Sequence, residues 1–307
     1  MEFYPEGMNA ELDRQFTTPE ALRRAMMQGS ILESRVLLCD REHNLHVDLG
    51  AMRGIIPREE GAVGIDDGTV RDIALISKVG KRVCFSILGF QREDDGPFTA
   101  ILSRRAVQLR CKAEFLDTLE PGDVIPARVT HLEKFGAFID VGAELNALIP
   151  IDMLSVSRID HPRARLREGQ ELRVVLRSRE PDKLTFSLKE LLGTWMENAS
   201  WFHPGETVRG EVRSVKEYGS FIELAPNLSG LTDRREDLRE GDGGSVTIRS
   251  IRPERMKIKL QVIEVLPPTE PPETLPYWIT DGVLDRWVYS PANCERPPVV
   301  TEFTEVP

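Results

Sequence analysis

Apolar and polar residues alternate from Val124 onward and again from Val208 onward, the period of two that lays one face of a β-strand on a core. In both stretches the alternation enters an aromatic-Gly-small-Phe turn, resumes as a second strand, and reaches a third after a Gly- or Asn-containing bend. Val124 to Leu154 reads VIPARVTHLEKFGAFIDVGAELNALIPIDML and Val208 to Asp233 reads VRGEVRSVKEYGSFIELAPNLSGLTD, so the chain carries an internal repeat. A fainter copy, Val36 to Glu60, reads VLLCDREHNLHVDLGAMRGIIPREE. Its DLG matches Asp140-Val141-Gly142 and its GIIP matches Ala147 to Pro150, while His43 and His46 stand where the later copies have rings.

Further strand-like segments close each copy. They are Arg71 to Ser77 with Arg82 to Phe90 and Phe98 to Ser103, then Glu171 to Ser178 with Lys183 to Leu188, then Ser245 to Ile251 with Lys257 to Val262. Five short strands over about 70 residues suit a small closed barrel, which leaves no sheet edge open. The expected fold class is therefore mainly β: three tandem five-stranded barrels at 28–105, 121–192 and 204–266, joined by helices at 106–120 and 193–203. Thr17 and Thr18 before Pro19 and Glu20 predict a capped helix through Met27, at the end of an acidic segment 1–27. Ser103 to Leu119 and Ser187 to Trp201 have apolar residues three and four apart, which predicts helices packed beside the barrels they follow. The tail 267–307 opens as PPTEPPETLP, a semi-rigid extended sequence. Its segment Tyr277 to Tyr289 is too aromatic for a solvated linker and is expected to dock.

The 307 residues predict two or three domains at roughly 100 to 200 residues each. With 40% hydrophobic and 29% charged residues the chain is globular in composition. No apolar run is long enough for a membrane helix and Met1 to Glu11 is acidic, so no membrane association is expected. Cys39, Cys84, Cys111 and Cys294 lack the close spacing of metal or redox pairs, which predicts reduced thiols and a cytoplasmic location. The net charge of -10 changes meaning once it is mapped: nine of the ten excess negative charges fall in the first twenty residues and after Leu266. What lies between is nearly neutral and can carry a basic face.

The aromatic turns are the sharpest chemical signal. Residues two apart on a strand share a face, and the turn glycine lets Phe135 and Phe138, three apart, surface together. Tyr218 and Phe221 repeat the pair. Exposed rings beside Lys134 and Lys216 would form a stacking platform for unpaired bases; the other use of such rings is barrel core. Seven arginines between Arg158 and Arg179 outnumber three acidic residues, and they either hold phosphate or solvate a loop. Arg249, Arg252, Arg255, Lys257 and Lys259 form a second basic group, in which the period of two puts Lys257 and Lys259 on one face. His43 and His46 could occupy a polar turn, make a weak RNA contact by stacking, or bind metal, although no third ligand accompanies them. The chain lacks GxxxxGK, HExxH, GxSxG and CxxC, so neither a catalytic site nor a cofactor is expected.

KFGAFIDVG followed by ALIP, and EYGSFIEL followed by SGLTD, resemble the RNA-binding domain named after ribosomal protein S1. A degenerate first repeat ending in ILSRRA, two fuller repeats and a Pro-rich aromatic tail are similar to short S1-like proteins of Gram-positive bacteria. The resemblance implies an oligonucleotide-binding (OB) barrel with RNA contacts on the turn aromatics, which map to Phe135, Phe138, Tyr218 and Phe221. It also implies a His at the start of the third strand, but Pro57, Pro150 and Asp233 occupy that position. The family's basic position falls on Thr185 and Lys259, and its acidic position near Arg179 and Arg252, departures that weaken the site while adding charge for phosphate. Phe135, Phe138, Lys134, Arg177, Arg179, Tyr218, Phe221, Lys216, Arg252 and Lys259 are thus the expected RNA contacts. The expected partner is single-stranded messenger RNA, with the small ribosomal subunit as a possible site of action. A protein-interaction adaptor, docking on the ribosome or an RNA-processing complex, is the alternative.

Overall fold

The computed structural model describes residues 3–8, 18–92, 96–180, 183–268, 270 and 272–303. It opens on helix α1 (Pro19–Gln28), whose Thr18 hydroxyl accepts the Ala21 N–H at 3.2 Å and whose last carbonyls are met by Gly29 in the left-handed region. Thr17 lies outside the described residues.

Three closed barrels follow. Strands β1 (Leu32–Cys39), β2 (Leu45–Asp48), β3 (Arg53–Ile56), β4 (Arg82–Arg92) and β5 (Phe98–Ser103) pair in the order β1-β2-β3-β5-β4. The second barrel uses β6 (Val124–Glu133), β7 (Gly136–Asp140), β8 (Asn146–Pro150), β9 (Glu171–Glu180) and β10 (Lys183–Ser187); the third uses β11 (Thr207–Lys216), β12 (Gly219–Ala225), β13 (Leu228–Thr232), β14 (Gly243–Arg252) and β15 (Lys257–Leu266). Each has the same cyclic order, in which the third strand closes on the fifth in parallel, as at Gly54↔Ala100, Leu148↔Thr185 and Leu231↔Lys259. This is the OB topology. Alternation drives it: in β15 Ile258, Leu260 and Val262 are buried while Lys257, Lys259 and Gln261 between them are exposed.

Two sequence expectations need correction. Arg71 to Ser77 is not a strand: Ile73–Ile76 forms the short helix α2, which buries Leu75 and leaves Ile73 64% exposed. The barrel already has its five strands, so a sixth would have no edge to join. Ser187 to Trp201 is not one helix either. A 3-10 turn at Lys189–Leu192 stops at Gly193, and α4 (Trp195–Ala199) restarts behind a Thr194–Glu197 capping box. Gly193 has φ +84, and a Cβ there would strike the Trp278 ring, so the break admits the tail. Helix α3 (Arg104–Glu114), capped by Ser103, is shorter than the expected Ser103 to Leu119, its last turn being replaced by a 3-10 turn at Leu116–Thr118.

The chain divides into two units: Met1–Leu119 with Asp140–Asn146, and Glu120–Ile139 with Ala147–Pro307. In the first, α1 adds Leu22 and Ala25 to the core of barrel one. In the second, a continuous core joins Val175, Leu191 and Trp195 to the interior of barrel three and to Leu284, Trp287, Tyr289 and Phe303 of the tail. The tail therefore docks. It stacks Trp278 on Trp201 with ring centroids 5.2 Å apart and closes with a two-stranded sheet, β16 (Arg286–Val288) and β17 (Val300–Glu302).

Candidate nucleic-acid interface

The β11–β12 turn places Tyr218 and Phe221 edge to face, 6.2 Å between centroids at 89°, and the β6–β7 turn places Phe135 and Phe138 the same way, 5.9 Å at 88°. The outer ring of each pair is open: Phe135 is 56% and Tyr218 68% exposed. Phe138 and Phe221 are half-buried. The glycine between them has a structural reason beyond bending the chain. A Cβ on Gly136 would run into the Ile149 carbonyl oxygen, and one on Gly219, at φ +147, into that of Thr232. The third strand crosses so close behind the turn that only glycine fits, and the rings are pushed outward.

Across barrel three the outward positions form a row. Ser214 pairs with Phe221, Phe221 with Leu231, Leu231 with Lys259, and Lys259 with Ser250. Ile222, Gly230, Ile258 and Leu260, one residue along, point inward. The wall thus puts an aromatic ring and an ammonium group on one face. Beyond it, Arg252 sits directly opposite Lys257 at the hairpin end. Like charges in register destabilise a strand pair, so the arrangement favours an anion. In barrel two the same row ends in Thr185, opposite Ser178, and Arg179 pairs across the hairpin with Leu184.

Lys134, Lys216, Arg252 and Lys259 are exposed and, among the described residues, no carboxylate lies within 4 Å of them. Arg177 is placed differently. Its Nη1 donates to the Glu302 carbonyl at 2.9 Å, and its guanidinium lies 5.8 Å from the Phe303 ring centre, so the tail holds it. The dense arginine stretch is divided in the same manner. Arg165 is buried against Glu223 and Arg167 reaches Glu270 at 3.0 Å, while Arg158, Arg163, Arg173 and Arg179 are exposed.

Barrel one is built otherwise. His46 occupies the row position of Phe221, opposite Leu38 and Ile55, but its Nε2 lies 3.0 Å from Asp40 Oδ2. Asp40 also accepts the Glu42 and Asn44 N–H groups, and these bonds, His46 first, hold its carboxyl down at about 2. His43 takes φ +65 and sits 3.4 Å from Asp72. Both imidazoles serve a hydrogen-bonded polar turn. Among the described residues no group of three His, Cys, Asp or Glu is arranged to hold a metal ion, and no helix is long and apolar enough to cross a membrane.

Sequence reasoning missed a cleft of about 780 Å³ beside Phe221, to which Arg158, Lys216 and the tail residue Arg296 contribute. Arg296 lies in a net-acidic tail, so nothing in its local sequence separated it from the surrounding charge.

Residues 118–188 match the S1 RNA binding domain. The chain is 31% identical over 228 residues to the small ribosomal subunit protein bS1 homolog of Bacillus subtilis, covering 72% of this chain and 56% of that protein. It is 29% identical over 266 residues to small ribosomal subunit protein bS1 of Staphylococcus haemolyticus, covering 81% and 65%. The chain thus spans between 56% and 65% of the length of these curated relatives. Among solved structures, a multidomain protein with nucleic acid binding domains from Streptococcus pneumoniae is 15% identical with a TM-score of 0.25, covering 77% of this chain and 74% of that one.

Proposed function

We propose, from the premise that this chain belongs to the S1-domain family, that it binds single-stranded RNA without catalysing a reaction on it, through the outer walls of its second and third barrels. The observation that carries the reading is the recurrence of one geometry: two edge-to-face ring pairs, each with an open outer ring, each beside an unpaired lysine. A barrel core would bury such rings, and a protein-docking wall would not need Lys259 in line with Phe221 or Arg252 opposite Lys257. Rings with free faces stack on any base, and the cations take the phosphates. Lys134, Phe135 and Phe138 serve barrel two with Arg179; Lys216, Tyr218, Phe221, Arg252 and Lys259 serve barrel three. Barrel one, with both imidazoles tied to carboxylates, acts as a docking or spacing module. Its relatives carry the name of a small-subunit ribosomal protein, and the setting we propose is messenger RNA at the cytoplasmic ribosome.

Phe138→Ala and Phe221→Ala test this directly in a gel shift with short homopolymer RNA. Each loses a stacking surface worth about 1–3 kcal/mol, so affinity falls roughly five- to 150-fold. If both variants bind as tightly as the parent, the stacking reading is wrong. If partners captured from an extract persist after nuclease treatment while RNA binding is absent, the adaptor reading replaces it.

A further inference from the structure

The loop between β16 and β17, residues 289–299, brings the tail to the proposed RNA wall, where Tyr289, Arg296 and Val299 line the cleft beside Phe221. This loop is held at several points. Tyr289 donates its hydroxyl to the Asn227 carbonyl at 2.6 Å, the Val299 N–H donates to Ser290 Oγ at 2.9 Å, and the Glu295 N–H donates to the Glu254 carbonyl at 2.8 Å. Glu254 belongs to the β14–β15 turn, which in an OB barrel borders the nucleic-acid path together with the β11–β12 turn. The tail loop is therefore fixed against the hairpin that flanks the ring pair.

Its charges are sorted. Glu295 turns to Arg255, Oε2 to Nε 3.1 Å, and is neutralised there. Arg296, the next residue, is exposed, lines the cleft beside Phe221, and has no carboxylate within 4 Å among the described residues. Two other cations in the same condition line that cleft, Arg158 from the β8–β9 loop of barrel two and Lys216 from the turn of barrel three. Nearby arginines such as Arg165, Arg213 and Arg255 are all engaged by carboxylates. Two carboxylates also face the cleft: Glu240, which accepts the Val215 N–H at 3.2 Å, and Asp160. Three unpaired cations from three separate segments converge beside a half-exposed ring, in a cleft whose 780 Å³ falls within the size of small-molecule sites.

Resting on the RNA-binding reading, we infer that the tail loop is a working wall of the third barrel's site: a base stacks on Phe221 inside the cleft while Arg296, Arg158 and Lys216 hold its flanking phosphates. The ligand class is an extruded nucleotide of single-stranded RNA. An acidic tail acting as an inhibitor would turn Glu295 inward, and here it is Arg296 that lines the cleft. Asp160 can accept from an exocyclic amine, which gives the cleft a means of discriminating bases.

The test uses the full chain and a fluorescent oligouridylate of about ten nucleotides, within the span of one OB site, read by anisotropy across a salt series. Arg296→Glu is expected to weaken binding about tenfold and to reduce the salt slope by about 1, whereas Arg286→Glu, a tail cation already paired with Glu302 at 2.7 Å, leaves both unchanged. Photocrosslinking through a thiouridine is expected to label the tail loop. If Phe221→Ala weakens binding and Arg296→Glu does not, the loop is a bystander and this inference fails while the broader reading stands. If neither weakens it, the RNA reading itself fails. Tighter binding by Arg296→Glu, or an equal loss in Arg286→Glu, also overturns the inference.

Discussion

Asp140 has only 3% of its surface exposed. Its Oδ2 accepts the Glu6 N–H at 2.8 Å, and its Oδ1 those of Gly142 and Glu144 at 2.8 and 2.9 Å. Beside it Glu6 takes Arg104 at 2.8 Å, Arg104 also holds Glu144 at 2.7 Å, and Lys78 pairs with Glu144. Burial, then the negative charge of Glu6, push the Asp140 carboxyl up to about 7. A carboxyl with a raised folded-state pKa favours the folded state fully below its free value near 3.8, and that contribution fades as pH climbs through 7. Thermal melts of the first unit are therefore expected to fall between about pH 4.5 and 7.5 in the parent and to stay flatter in Asp140→Asn. Parallel profiles would show that Asp140 ionises freely. In the sequence Asp140 is only one letter of a repeated motif. Its burial depends on Glu6 and Arg104, 134 and 36 positions away, which no local pattern encodes.

Between elements, one buried junction sets the second unit apart. Arg165, from the β8–β9 loop of barrel two, meets Glu223 of β12 at 2.5 and 2.8 Å, and Arg213 of β11 meets the same carboxylate at 3.0 and 3.1 Å. Arg165 is 4% and Glu223 6% exposed. Burial works against the ionised carboxylate, but the two guanidiniums overcome it and hold Glu223 below its usual range. Removing one member of a buried network leaves the other charges poorly compensated. Arg165→Ala is expected to destabilise the second unit by about 2–4 kcal/mol in urea titration, against less than about 0.5 kcal/mol for exposed Arg163→Ala. In the sequence both were members of one basic run. Composition shows that charge is present, but only the fold separates a guanidinium that binds a neighbouring barrel from one that faces water. Strands and barrels were easier to read, because a period of two repeated in three copies is strong information. Arg71 to Ser77 misled because a short apolar run fits either a strand or a turn of helix.

At the scale of the whole chain, net charge is a poor guide to what it binds. The acidic excess sits near the two ends, and in the tail part of it is spent locally: Glu270 on Arg167, Glu295 on Arg255, Glu302 on Arg286. Of the exposed cations that have no carboxylate within 4 Å among the described residues, Lys134, Arg158, Lys216, Arg252, Lys259 and Arg296 lie on the two aromatic turns, in the cleft beside Phe221 or on the β14–β15 hairpin. Association with homopolymer RNA is thus expected to weaken steeply with salt despite the net charge of -10, with a logarithmic slope of about −2 to −4, or roughly three to six phosphates engaged. A slope near zero would mean that the basic wall is idle. The sequence indicated that the tail docks, since a segment so rich in Trp and Tyr does not stay in water. Where it docks depends on Gly193 admitting Trp278, a fit between surfaces far apart in the chain.

The salt-linked junction of Arg165 with Glu223 also makes the second unit a ruler. Were a base to stack on each of Phe138 and Phe221, as proposed, the contour of RNA between them would be constant, because both rings are mounted on one frame. The strand would have to supply a set number of linking nucleotides, and the ordering entropy of the second engagement would be met before RNA arrives.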